Sequence, residues 1–172
     1  RVLHQAIGAA KSQLLGVEEH AEMNHESYLD EIVHRVYDRY EALLTRSNAL
    51  DFQDLLFKTV RLFETVPDVL AKYQERFAHL LVDEYQDTNK VQYLLARQLA
   101  GKHRNICVVG DPDQSIYSWR DADIRNILDF EKDYPGAKVV FLERNYRSTK
   151  IILEAAHSLI SRNNDRKDVR VW

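Results

Sequence analysis

The chain has 172 residues, of which 45% are hydrophobic and 30% charged, with 5 glycines, 3 prolines and a formal net charge of −3. That length accommodates one domain, or one and part of another, and the composition excludes a disordered or low-complexity protein. The mild acidity carries no global nucleic-acid signature, so any such contact must be local.

No segment is long and apolar enough to span a bilayer, and the histidines and single cysteine lack zinc spacing. Cys107 excludes an intrachain disulfide, fits a reducing compartment, and is expected to pack in a core among its apolar neighbours. The opening stretch, RVLHQAIGAAKSQ, has no initiator Met and no secretory-signal pattern. It reads as the beginning of an interior piece of a longer protein.

From about Asn24 to Arg46, the residues Leu29, Val33, Val36, Tyr40 and Leu43 recur at helical spacing. A second amphipathic helix is predicted from Phe52, Leu55, Leu56, Val60 and Phe63 on one face. Beyond residue 76 the pattern changes. Leu80 to Val82, Ile106 to Val109 and Val139 to Leu142 are short apolar runs without in/out alternation, which predicts parallel strands buried on both faces. Between them, Val91, Leu94, Leu95 and Leu99 form a stripe closed by Gly101, and Ile124, Ile127 and Leu128 form another before YPGA. These are the expected crossover helices. After the third run, RNYRS leads into a helix that Ser148 can cap, with Ile151, Ile152, Ala155, Ala156 and Leu159 on its buried face. The fold class is therefore α/β, with parallel strands and crossover helices preceded by a helical segment.

Ligands of parallel α/β sheets gather at the carboxyl ends of the strands. There the sequence places Asp83 and Glu84 with Gln86 and Asp87; then Asp111, Asp113 and Gln114; then Glu143, Arg144, Asn145 and Arg147. One acid of an adjacent pair can hold a hydrated magnesium ion, and the other can polarise an attacking water as general base. The competing reading is that Asp83 and Glu84 cap a turn and open the next helix near its positive end. On chemistry alone, Asp83, Glu84, Asp87, Asp111 and Asp113 also suit a two-metal phosphodiesterase or nuclease, and the chain could be an inert binding module. Tyr117 and Trp119 are interleaved with Ser118, Arg120 and Asp121, which favours a partly exposed stacking platform over core packing. The charge run RNNDRKDVR reads as a solvated face.

Three motifs, LLVDEYQDTN, VVGDPDQSIYSWRDAD and LERNYRST, resemble in order and spacing consecutive motifs of the UvrD/PcrA/Rep group of superfamily 1 DNA helicases. The likeness continues through NALDFQDLL and VPDVLAKYQERF to ILEAAHSLISRNNDRK. It implies a partial RecA-like P-loop NTPase domain: residues 1–47 as the end of an inserted helical subdomain, 48–143 as the C-terminal part of the first motor domain, and 144–172 as the start of the second. By the same resemblance Asp83 ligates magnesium and Glu84 activates water against the γ-phosphate of ATP. Gln114 senses that phosphate and links it to the DNA site, Arg147 is an arginine finger, and Tyr146 stacks on adenine. Tyr117 and Trp119 stack on bases of single-stranded DNA, with Arg120 beside them. The implied protein is an ATP- and magnesium-dependent 3′–5′ helicase acting on single strands and duplex junctions, cytoplasmic and nucleoid-associated, without a membrane partner.

Two departures from the family pattern affect the DNA side. DFQDL replaces the usual DFDDL, so Gln53 lacks a charge; YSWRDAD replaces YRWRGAD, so Ser118 and Asp121 alter the platform, and the added carboxylate can weaken a phosphate contact. The sequence also contains no GxxxxGK(S/T) loop, since its one Gly-Lys pair, Gly101 and Lys102, is followed by His103 and closes a helix. In the family that loop lies upstream of Arg1 and the later motifs lie beyond Trp172. Without the cradle of backbone amides the phosphates lose their main anchor, and the isolated chain is expected to have little or no ATPase.

Overall fold

A computed structural model describes residues 1–22 and 28–162. In chain order the elements are α1 (Val2–Ser12), α2 (Val17–Ala21), α3 (Tyr28–Arg46), α4 (Phe52–Thr65), α5 (Pro67–Arg76), β1 (Leu80–Val82), α6 (Lys90–Ala100), β2 (Ile106–Val108), α7 (Arg125–Leu128), α8 (Phe130–Asp133) and α9 (Lys150–Ile160). Short 3-10 turns lie at Tyr85–Asp87, Pro112–Gln114 and Ser118–Arg120. A small parallel sheet with a crossover helix, preceded by a helical segment, is the α/β arrangement of a partial RecA-like domain.

In the helical segment, Ile7 and Ala10 of α1 pack against Val33 and Tyr37 of α3, with Leu3, Leu15, Val36 and Tyr40 around them. The predicted stripe on α3 is buried only in its middle, and Leu29 and Leu43 are about half exposed. A 19-residue helix is about 28 Å long and an 11-residue one about 16 Å, so the ends of α3 overhang α1. The predicted start at Asn24 lies outside the described residues, as does the charge run beyond Arg162.

The amino end of α4 is closed by a reciprocal capping box. Asp51 Oδ1 accepts from the Asp54 N–H at 2.8 Å, and Asp54 Oδ2 accepts from the Asp51 N–H at 3.2 Å. Val60 and Phe63 are buried as the spacing predicts, but Phe52 is 87% exposed and Leu55 is exposed too. At this end the buried face is occupied by Asp54 instead, because Asp54 meets Lys11 of α1.

Lys11 is fully buried. Its Nζ lies 2.6 Å from Glu41 Oε1, 2.7 Å from Asp51 Oδ2 and 2.8 Å from Asp54 Oδ1, and Tyr40 OH donates to Asp51 Oδ2 at 3.1 Å. The three carboxylates hold oxygens within 4.8 Å of one another, and the ammonium fills the space that a cation would take. Burial opposes the charge on Lys11, but its hydrogen bonds to Asp51, Asp54 and Glu41 outweigh this and hold its pKa above the ordinary lysine value. Burial likewise pushes the Asp51 carboxyl up, and the bonds from Lys11 and the Asp54 N–H bring it below the usual carboxylate range. One side chain thus ties α1, α3 and the start of α4 together.

In the sheet, Leu80, Leu81 and Val82 pair in parallel with Ile106, Cys107 and Val108. The pairing is extended by Leu80 N–H to Asn105 O at 2.9 Å and Val109 N–H to Val82 O at 2.8 Å. The crossover helix α6 starts on a capping box between Asn89 and Gln92 and buries Val91, Ala96 and Ala100. Gly101 closes it, as predicted, though in a right-handed conformation.

Four expectations require correction. The sheet has two strands: Val139 to Leu142 has no ladder bond among the described residues and its four side chains are exposed. The strands are covered on one face only, since Leu81 is 78% exposed and Cys107, expected in a core, is exposed as well. The helix expected around Ile124 to Leu128 is split into α7 and α8, which meet at Asp129. Finally, α9 forms, but its apolar residues Ile151, Ile152, Ala155, Ala156 and Leu159 are exposed, and its N-cap is Thr149 rather than Ser148. The unpaired run, the open face of the strands and the exposed face of α9 share a physical origin. An apolar run shows that a surface calls for cover and a ladder calls for a neighbour, and no described element supplies either at these places.

Candidate functional site

Where β1 ends, the chain turns sharply. Glu84 adopts a left-handed conformation, φ 50° and ψ 43°, which is unfavourable for a residue with a Cβ. Asp83 Oδ1 supports it by accepting the Glu84 N–H at 2.9 Å. The 3-10 turn that follows is anchored by Tyr85, buried edge-on against Phe130 at 5.8 Å between ring centroids. Both acids are exposed at the rim. The amino end of α6 is capped by Asn89, so the acid pair is not used to open that helix, although Asp83 does brace the turn.

A residue that sequence reasoning did not single out joins this turn to the end of β2. Gln86 is 1% exposed. Its Nε2 donates to Glu84 Oε2 at 2.8 Å and to Asp87 Oδ2 at 3.3 Å, and its Oε1 accepts from the Asp111 N–H at 3.0 Å. Gly110 has no room for a side chain, since a Cβ there would collide with Gln86 Oε1 and stand 2.8 Å from Ile127 Cδ1. Beyond it, Asp111 Oδ1 accepts the Asp113 N–H at 3.0 Å and Asp111 Oδ2 accepts from Gln114 Nε2 at 2.7 Å. The strand ends therefore bring Asp83, Glu84, Gln86, Asp111 and Gln114 into one hydrogen-bonded network. The sequence signal for Gln86 was an amide inside a run of acids directly after a strand, where a neutral donor can hold a carboxylate.

The donor set suits a magnesium ion. Asp83 Oδ2 and Glu84 Oε1 accept no hydrogen bond among the described residues, and they are hard anionic oxygens open to water, as an ion that retains much of its hydration shell requires. Asp111 is a poorer ligand, because both of its oxygens already accept hydrogen bonds.

Downstream of Gln114, the turn Ser118–Arg120 holds an aromatic pair. The rings of Tyr117 and Trp119 lie 6.0 Å apart at 53°, and the Arg120 guanidinium carbon is 5.2 Å from the first ring centre and 4.5 Å from the second. A guanidinium held over two ring faces fixes both aromatics. Trp119 is 70% exposed, so this is an open surface rather than core packing. Trp119, Arg120 and Asp121 line a groove of about 710 Å³ that continues past Phe52, Gln53 and Gln92. Gln53 and Asp121, two departures from the family pattern, thus face the same groove.

The structure does not bring the remaining candidates into the network. The N–H groups of Arg147 and Ser148 donate to Asn145 Oδ1 at 2.8 and 2.7 Å, and the Arg147 guanidinium makes no ion pair among the described residues. Tyr146 is 85% exposed, with the Arg144 guanidinium carbon 5.2 Å from its ring centre.

Comparison with known proteins places the chain in a family. The family described as UvrD/REP helicase N-terminal domain matches residues 1–135. The chain is 52% identical over 166 residues to ATP-dependent DNA helicase PcrA of Bacillus subtilis (strain 168), covering 96% of this chain and 22% of that protein. It is 57% identical over 145 residues to the PcrA of Staphylococcus aureus (strain Mu50), covering 84% of this chain and 20% of the relative. With the Staphylococcus epidermidis PcrA it shares 51% identity over 172 residues, all of this chain and 24% of that protein. The chain thus spans about a quarter or less of the length of these relatives. With a family match over 135 residues and identities above 50%, it belongs to the UvrD/REP helicase family.

Proposed function

We propose that this chain is the part of an ATP-dependent DNA helicase that joins the water-activating side of the nucleotide site to a single-strand platform, in a protein moving 3′ to 5′ in the bacterial cytoplasm. The observation that carries this reading is the continuous network from Glu84 through Gln86 and Asp111 to Gln114, three residues before Tyr117. Residues 1–47 belong to an inserted helical subdomain in this reading, 48–143 to the first motor domain and 144–172 to the second.

Asp83 would hold magnesium through its free oxygen, and that ion supplies charge neutralisation on the phosphates. Glu84 presents its free oxygen to water and takes the proton as the water attacks. Gln114 would meet the nucleotide's terminal phosphate and report its presence through Asp111, to which its amide donates at 2.7 Å. Arg147 and Tyr146 are exposed and would meet the nucleotide, the guanidinium to stabilise charge on the transferring phosphoryl group and the phenol ring to stack on adenine. Tyr117 and Trp119 stack on bases without reading their sequence, and Arg120 locks the pair.

Two outcomes test the reading. In the full-length protein, Trp119→Ala is expected to weaken single-stranded DNA binding by about 1–3 kcal/mol, roughly 5- to 150-fold, with nucleotide affinity unchanged, as read by oligonucleotide anisotropy and nucleotide titration. Equal losses of both would make Trp119 a packing residue. The purified chain alone, which carries no phosphate loop, is expected to show little or no Mg-ATP hydrolysis. Turnover at a rate typical of complete motors, about 1 s⁻¹ or faster, would contradict the division of labour proposed here.

A further inference from the structure

Among the described residues three polar side chains are fully buried: Lys11, Asp54 and Gln86. The first two pair with each other, whereas Gln86 stands at the strand ends. A buried amide is costly unless its donors and acceptor are all engaged. Those of Gln86 are engaged with Glu84, Asp87 and the backbone of Asp111, so they span the ends of both strands. Gly110 makes room for the amide oxygen, with which a Cβ there would collide, and reversing the amide would set its NH2 against the Asp111 N–H and its oxygen against two carboxylates.

We infer that Gln86 is a positioning residue that fixes the aim of the Glu84 carboxylate and makes that aim depend on the turn Pro112–Gln114. The inference rests on the reading of Glu84 as the group that activates water. The linkage has two strands. Gln86 Oε1 holds the Asp111 N–H, and Asp111 Oδ2 holds Gln114. In parallel, Ser115 Oγ donates to the backbone oxygen of Gln86 at 3.4 Å. A displacement of the Gln114 turn, or of the aromatic turn that follows it, therefore pulls on the residue that holds Glu84. Glu84 is exposed and its backbone is in an unfavourable conformation; its backbone is held by the Asp83 brace and by the Asp87 N–H, which donates to its carbonyl oxygen at 2.9 Å, and among the described residues its carboxylate is held by this amide.

Two variants of the full-length protein separate this role from packing. Gln86→Glu keeps the shape and an acceptor for the Asp111 N–H but removes both donors, while Gln86→Met keeps the volume and removes every hydrogen bond. Both are expected to lower kcat for Mg-ATP hydrolysis on saturating oligothymidylate by about tenfold or more, since small misplacements of a reacting group are costly. KM for ATP and Kd for the oligonucleotide should stay within about threefold, and the ratio of ATPase with to without oligonucleotide should fall. Wild-type kcat in Gln86→Met overturns the inference, and so does a parallel loss of ATP and DNA binding in both variants, which makes Gln86 a core residue. Glu84→Gln is measured alongside. If it turns over normally, the reading of Glu84 itself fails; if it is inactive while both Gln86 variants are normal, only the positioning role fails.

Discussion

Glu84→Gln in the full-length protein is expected to bind Mg-ATP and single-stranded DNA as the wild type does, and to hydrolyse ATP about 10² to 10⁴ times more slowly. The amide is nearly isosteric with the carboxylate, and its oxygen can still accept from Gln86 Nε2, which now holds Glu84 Oε2 at 2.8 Å. Its backbone can keep the Asp83 brace. What it loses is the capacity to take a proton from the attacking water, and the expected slowing corresponds to about 3–5 kcal/mol of barrier. Steady-state ATPase with nucleotide titration separates the two properties. Wild-type turnover would remove Glu84 from the chemistry, whereas a large loss of nucleotide affinity would assign it to binding.

A stability effect of similar size is expected at Lys11. Lys11→Met preserves most of the aliphatic volume but leaves Glu41, Asp51 and Asp54 facing one another without the ammonium that separates them. Removing one partner of a buried ion cluster costs about 3–5 kcal/mol, because the remaining charge is only partly compensated by Lys58, whose Nζ lies 3.0 Å from Glu41 Oε2 and 3.7 Å from Asp54 Oδ1. Urea unfolding of this chain at neutral pH should read that loss, and a change below about 1 kcal/mol would show that the cluster contributes little. The pH dependence has a definite sign. Lys11 has a folded pKa above its ordinary 10.5, so its contribution is complete below about pH 10.5 and fades as pH rises through the folded value. Asp51 lies below its ordinary 3.8, so its contribution is complete above that pH and fades as pH falls through the folded value. Across the neutral range the cluster's contribution should be level.

The elements most legible in the sequence were those whose signals are local. Helical spacing marks α3 and α4, and an apolar run cut off by acids marks β1 together with the rim on which Asp83 and Glu84 stand. Polar residues interleaved with Tyr117 and Trp119 correctly indicated an open aromatic surface. What escaped depends on partners distant in sequence. Lys11, in AAKSQ, looks like a surface lysine until α3 and α4 bring three acids from 30 to 43 positions away. Gln86 becomes informative only once Asp111, 25 positions on, is beside it. The apolar pattern predicts a buried strand at Val139 to Leu142 and a buried face on α9, and both are exposed; periodicity cannot say which segment provides cover, and none of the described elements does. Cys107 was misjudged for the same reason, since its side chain faces the uncovered side of the sheet.

The left-handed turn at Glu84 bears on how this sequence can change. A side chain with a Cβ gives up about 1–2 kcal/mol in that backbone region, and glycine or asparagine would occupy it with less strain. Substitutions selected only for heat resistance would therefore tend to discard this glutamate early, while leaving the surrounding fold intact or firmer. A thermostabilised version of the protein would need the position held fixed by design, because folding and the proposed chemistry favour different residues there.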